Sequence, residues 1–109
     1  ALLSAILATA DAFEVWENLR VQWDRDWPDF AERAVNRARR VTAKAWRFAG
    51  EMEEISSTFA SAGAPGEFHA GAAILYGRLA HFKNAPETPS LEDVLDSITG
   101  AGRDEPEKS

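Results

Sequence analysis

From Phe30 to Ala62 an apolar residue recurs every three or four positions: Phe30, Ala34, Ala38, Val41, Ala45, Phe48, Met52, Ile55, Phe59 and Ala62. Only an α-helix, with 3.6 residues to the turn, brings such positions onto one side. A stripe of that length has to be buried against other secondary structure. No segment alternates with period two as a half-buried strand does, and no hairpin signal or internal repeat is present. The expected fold class is therefore all-α: a compact bundle of about five to six helices, with one long amphipathic helix packed on a buried N-terminal helix.

The long helix carries two points at which it can kink or break. Thr42 can cap a fresh start, and Gly50 costs about 1 kcal/mol in a helix interior. Gly63, followed by Pro65, is expected to end it in the left-handed conformation. Ahead of it, Ala1 to Ala12 is apolar almost all round, which describes a helix buried on most sides, and no capping residue precedes it. A short helix is expected from about Val15 to Asp24, ending at Trp27-Pro28, with Pro28 suited to the first turn of the next helix. After Pro65 a helix over about Gly66 to Lys83 would bury Phe68, Ala72, Leu75, Leu79 and Phe82. Gly71 and Gly77 within it suggest close approach of another backbone or a ligand. Ser90-Leu91-Glu92-Asp93 reads as an N-cap with acids in the first turn of a last helix. The helical domain is thus expected over residues 1–99, with 100–109 a flexible tail.

The formal charge of −6 argues against general nucleic-acid affinity, which needs a dominant basic surface. Absence of cysteine rules out disulfides, thiolate metal sites and a Cys nucleophile, and suits a reducing cytoplasm. The run Ala1 to Ala12 is far short of the ~20 residues that cross a bilayer. Ala8-Thr9-Ala10 is similar to a signal cleavage site, but the basic region such a signal needs is absent. Charge is unevenly distributed. No acid lies between Glu32 and Glu51, where Arg33, Arg37, Arg39, Arg40, Lys44 and Arg47 supply half of the twelve basic residues.

Arg33, Arg37, Arg40, Lys44 and Arg47 recur at helical spacing, so they are expected along one helix side. One reading is a solvated face paired with Glu32, Glu51 and Glu54. The other is an anion-binding face, for which Arg37, Arg40 and Lys44 are the candidates, because the guanidinium fork matches phosphate and carboxylate. Glu51, Glu53 and Glu54 form an acidic patch, and His69 and His81 are the only imidazoles. No Glu-x-x-His or His-x-x-x-His spacing occurs, so no metal site is expected. No Gly-x-Ser-x-Gly elbow, phosphate loop or dinucleotide fingerprint is present.

The string Ala43-Lys44-Ala45-Trp46-Arg47-Phe48-Ala49-Gly50-Glu51-Met52-Glu53-Glu54-Ile55, then Phe59, Gly63, Pro65, Phe68-His69 and Tyr76-Gly77-Arg78-Leu79-Ala80-His81-Phe82-Lys83, carries a resemblance. It resembles the helical C-terminal domain of 6-phosphogluconate-dehydrogenase-like and 3-hydroxyacid-dehydrogenase-like oxidoreductases, in a branch whose C-terminal domain was long catalogued as of unknown function. The likeness covers most of residues 1–99. It implies a parent protein in which a Rossmann domain binds NADP or NAD and a linking helix leads into the helical domain. A small hydroxy-acid substrate then sits between the two domains. It also implies a homodimer formed through the helices. Ala1 to Ala12 looks like the end of that linking helix, with the family's catalytic lysine upstream. A Lys-Asp-x-x-Leu-Ala motif that faces the cofactor in broader relatives falls on Glu51 to Ser56; its lysine is not matched, so no cofactor contact is carried onto Glu51. The resemblance points Trp46, Arg47, Glu51, Glu54 and His69 toward the cleft.

Two functions follow from these readings. The first is a substrate-cleft and dimerisation domain of an NAD(P)-dependent dehydrogenase, inactive and without cofactor on its own. The second is a non-catalytic helical interaction module that uses the stripe from Ala38 to Ala62 as a seam for a protein partner.

Overall fold

A computed structural model describes residues 1–100 of the chain. Six α-helices follow one another: α1 (Leu2–Ala12), α2 (Trp16–Asp26), α3 (Phe30–Arg40), α4 (Ala45–Ser61), α5 (Glu67–Leu79) and α6 (Leu91–Thr99). Short 3-10 turns occupy Val41–Lys44 and Ala80–Phe82, and no strand occurs among the described residues. The expected all-α bundle is the fold. Of the expected tail, Gly100 is the left-handed residue that closes α6, and 101–109 lie outside the described residues.

The long stripe is divided at Val41–Lys44, one of the two places its sequence allowed. Thr42 acts differently from a cap: its buried hydroxyl donates to the Arg39 carbonyl at 2.7 Å. Such back-bonding competes with the helical ladder, and the β-branched pair Val41-Thr42 adds crowding, so the turn tightens to 3-10 geometry and Lys44, at φ −114° and ψ 4°, leaves the helical conformation. Ala38 before the bend and Ala45 after it are both buried in the same core. Gly50 lies within an unbroken α4 and leaves no kink assigned to it.

Beyond the bend, α4 runs against α5 as a helical hairpin. Gly63, at φ +86°, closes α4: the Gly63 and Ala64 amides donate to the Ala60 and Phe59 carbonyls. The closest approach of the pair is at Gly66, where the Ser56 hydroxyl donates to the Gly66 carbonyl at 2.8 Å. A Cβ on Gly66 would stand 2.6 Å from the Ser56 carbonyl oxygen. Gly71 and Gly77 correct the packing half of the expectation placed on them, since a Cβ at either meets nothing of this chain within 4 Å. They lie on the outer face of α5 beside exposed Ile74, while Ala72, Leu75, Tyr76 and Leu79 turn inward. Phe68, expected in the core, is exposed at the start of that helix.

The remaining helices close the core from the other side. Ser90 caps α6 by accepting from the Asp93 amide at 3.1 Å, as its sequence predicts, and Val94, Leu95 and Ile98 face inward. Arg39 Nε donates to the Pro89 carbonyl at 2.8 Å, tying the approach to α6 onto α3. α1 rests chiefly on α6, with Leu7, Ala8 and Ala10 buried. Its other side is open, with Leu2 60% and Phe13 75% exposed and Ile6 exposed between them, so α1 is buried along one face and not all round. α2 buries no residue completely. Edge-to-face contacts hold it, Trp16 on Trp23 with centroids 5.9 Å apart and Trp23 on Phe30 at 4.8 Å. Pro28 lies in the turn before α3, outside its first turn, because left-handed Asp29 is the residue that starts the helix.

α1 ends in the same hydrogen-bonded motif as α4, but the left-handed position is held by Glu14 at φ +61°, with Glu14 and Val15 amides donating to Asp11 and Ala10. Glu14→Gly relieves a Cβ clash and is expected to stabilise the chain by about 0.5–1 kcal/mol. Gly66→Ala is expected to cost about 1–3 kcal/mol because backbone would have to move. Gly71→Ala, in open space, is expected to add about 0.5–1 kcal/mol. Urea denaturation of the three variants checks the signs, and equal effects of Gly66→Ala and Gly71→Ala would contradict the packing described.

Candidate functional site

The bend between α3 and α4 opens a cleft. Leu3 and Ser4 of α1, Arg37 and Ala38 of α3, Val41 of the bend, Phe48, Glu51 and Met52 of α4 and Tyr76 of α5 line a space of about 250 Å³. Leu3 and Arg37 also line a second, adjoining groove of about 350 Å³, completed by Phe30, Arg33, Ala34, Asn36 and Arg40. Arg37 therefore stands on the wall shared by the two. The sequence places it there because Arg33, Arg37 and Arg40 occupy one face of α3, while Ala34 and Ala38 face the core.

The expected basic side is split by the bend. Arg33, Arg37 and Arg40 stay together on α3, whereas Lys44 closes the 3-10 turn and lines neither groove. Of the carboxylates proposed as partners, only Glu51 pairs with the set, at 3.7 Å from Arg47. Arg33, Arg37 and Arg40 form no ion pair and no side-chain hydrogen bond among the described residues. Glu32 lines a neighbouring groove with Arg20, Asp24 and Asp29, and Asn36 borders both that groove and the basic one.

The other candidates are dispersed. Glu51 joins Arg37 in the first cleft. Trp46 is exposed on another side of α4, with the Lys83 ammonium 4.0 Å above its ring. Arg47 and Glu54 are exposed and do not line the cleft. His69 sits on the first turn of α5 with its ring 4.8 Å from Phe59 and 5.1 Å from Phe68, and its buried Nδ1 has no hydrogen-bond partner. Among the described residues no group of three or more potential metal ligands comes together. No helix among them is long and apolar enough to cross a membrane.

Tyr76 and Ser4 are cleft residues that the sequence reading did not single out. Tyr76 is the chain's one tyrosine, buried at the floor with its ring 5.3 Å from Phe48, and its hydroxyl accepts from the Ala1 nitrogen at 3.1 Å. Burial raises its pKa above the ordinary value of 10, and the Arg37 guanidinium opposes that rise by favouring the phenolate. Arg37 is thus close enough for its charge to reach the cleft floor.

A raised folded-state pKa means that the tyrosine's contribution to stability is complete below pH 10 and is lost as pH rises through the folded value. Following tyrosinate absorbance, titration of the native chain is expected to lie above that of the urea-unfolded chain, and Arg37→Gln is expected to raise it further. A native titration at or below the unfolded one would contradict the geometry.

Comparison with known proteins adds one match. Residues 10–79 match the family described as Domain of unknown function (DUF1932), a helical C-terminal domain found in 3-hydroxyacid-dehydrogenase-like proteins. No curated protein and no solved structure matches the chain. The matched stretch runs from the end of α1 through α5 and takes in the bend, Arg33, Arg37, Arg40, Glu51 and Tyr76. Since it covers well over half of the 109 residues, the chain belongs to the DUF1932 family.

Proposed function

We propose that this domain forms one wall of the substrate cleft of an NAD(P)-dependent, 3-hydroxyacid-dehydrogenase-like oxidoreductase, with the nucleotide held by a Rossmann domain of the same protein. The observation that carries this reading is the cleft at the α3–α4 bend, set within a family associated with dehydrogenase-like proteins. Its residues suit binding and orientation. Arg37 offers a guanidinium fork to a substrate carboxylate, Tyr76 and Ser4 offer hydroxyls, and Phe48 and Met52 offer an apolar wall. It contains no residue set able to pass a hydride, so the redox chemistry belongs to the nicotinamide in this reading. The open apolar side of α1, with Leu2, Ile6 and Phe13, would be covered by the nucleotide-binding domain or by a second copy in a homodimer.

The interaction-module reading keeps only the outer end of its stripe, where Phe59 is exposed. The stripe from Ala38 to Ala62 is divided by the bend, and Ala38, Ala45, Phe48 and Met52 are spent on the chain's own core.

The test is kinetic. The polypeptide carrying this domain, supplied with NAD or NADP and a panel of short hydroxy acids, is expected to produce reduced nicotinamide. Arg37→Gln is expected to raise KM for the acid about tenfold or more with kcat less affected, as loss of a charge-assisted contact would. The 109-residue chain alone is expected to be inactive. Turnover by the chain alone would overturn the reading, as would a gene with no Gly-x-Gly-x-x-Gly strand–turn–helix upstream.

A further inference from the structure

The arginine face of α3 has an energetic peculiarity that the fold does not explain. Arg33, Arg37 and Arg40 follow one another at four and three residues, so three like charges stand on successive turns over about 10 Å of helix. Like charges at this spacing oppose the helix by about 0.2–0.5 kcal/mol a pair. No described carboxylate pairs with them. The helix dipole accounts for basic residues in the last turn, where Arg37 and Arg40 lie, but Arg33 is near the N-terminal end, where a cation is disfavoured. The acids of this region, Asp24, Asp29 and Glu32, line a neighbouring groove that shares Asn36 with the basic one. The three arginines therefore form an acid-free basic strip beside an acid-bearing groove, within a chain whose net charge is −6.

The basic side is also concave. The groove of about 350 Å³ is lined by the three arginines, by Asn36, and by Leu3 and Phe30, with no carboxylate in its wall. Leu3 and Phe30 supply an apolar part of that wall beside the three exposed guanidinia. A single carboxylate would satisfy one fork and leave two cations uncompensated. Two adjacent phosphoryl groups can each sit between neighbouring arginines, with Arg37 common to both.

We propose that this groove binds a small molecule bearing a diphosphate, or two phosphates close together, with Arg33, Arg37 and Arg40 holding the phosphoryl oxygens. Leu3 and Phe30 lie against its carbon portion. The inference rests on α3 and its groove. It shares Arg37 with the dehydrogenase reading, but it needs neither a second domain nor turnover, and its dependence on Arg33 and Arg40, which lie outside the substrate cleft, lets the two fail independently.

Inorganic pyrophosphate, inorganic phosphate and acetate, titrated into the 109-residue chain at low ionic strength and followed by amide chemical shifts, provide the test. Pyrophosphate is expected to saturate at a concentration about tenfold lower than phosphate, and acetate not to saturate, with the shifted amides on α3 and at Leu3. Raising NaCl from about 20 to 200 mM is expected to weaken the binding. Arg33→Gln/Arg37→Gln is expected to weaken pyrophosphate at least about tenfold, while the charge-matched Arg25→Gln/Lys83→Gln changes it less than about twofold. Thermal unfolding verifies that both variants are folded; should the α3 variant be unfolded, Arg40→Gln alone, expected to weaken pyrophosphate about threefold or more, replaces it. No saturation by pyrophosphate, shifts centred away from α3, or equal losses in the two double variants would overturn the proposal.

Discussion

A hydroxyl turned back on its own helix organises this molecule. Thr42 is buried and donates to the Arg39 carbonyl, and at that place one continuous amphipathic stripe becomes two helices joined by a 3-10 turn. Without the bend, Ala38 and Ala45 would lie along one straight rod, and the rod would need a partner as long as itself. With it, both alanines reach the same core, and α4 is free to run beside α5. The cleft is a further consequence, since its walls come from the two sides of the bend and from α1 and α5, which the bend brings to meet it.

Small residues let this arrangement close. Ala8, Ala38 and Ala45 are buried where helices meet, and Gly66 admits the Ser56 carbonyl at the tightest point of the hairpin. The opposite situation holds on the surface. Leu2, Ile6 and Phe13 on α1 and Ile74 between Gly71 and Gly77 on α5 are exposed, and α2 is held by tryptophan edges with no fully buried residue. The interior is complete for a small domain, while two helices present faces whose composition is that of an interior.

Electrostatics divides along the same helix. α3 turns alanines to the core, arginines to the cleft side and Glu32 to a neighbouring groove, so its sequence distributes three kinds of residue over one circumference. Arg39, one residue out of phase with its neighbours, anchors the loop before α6 and has a structural role. Arg37 has the most central position, shared between both grooves and acting on Tyr76 through its charge.

Helical class, the left-handed Gly63, the Ser90 cap and the acid-free stretch were all legible in the sequence, because each depends on neighbours within about a turn or on a period of 3.6. The family resemblance was legible for a similar reason, as it lay in short strings at fixed spacing between Ala43 and Lys83. What depended on distant residues was not. Glu14 holds a left-handed position that composition assigns to glycine, because the chain must turn there to lay α2 across α1 and α3. Gly71 and Gly77 carry the same sequence signal as Gly66, yet only Gly66 meets a neighbouring helix. Five basic residues in helical register became a trio with Lys44 and Arg47 set apart, and Tyr76 joined Arg37 from another helix. Sequence alone determined which residues share a helix face; tertiary structure decided which faces meet, since that follows from a bend whose direction is set by packing across the whole core.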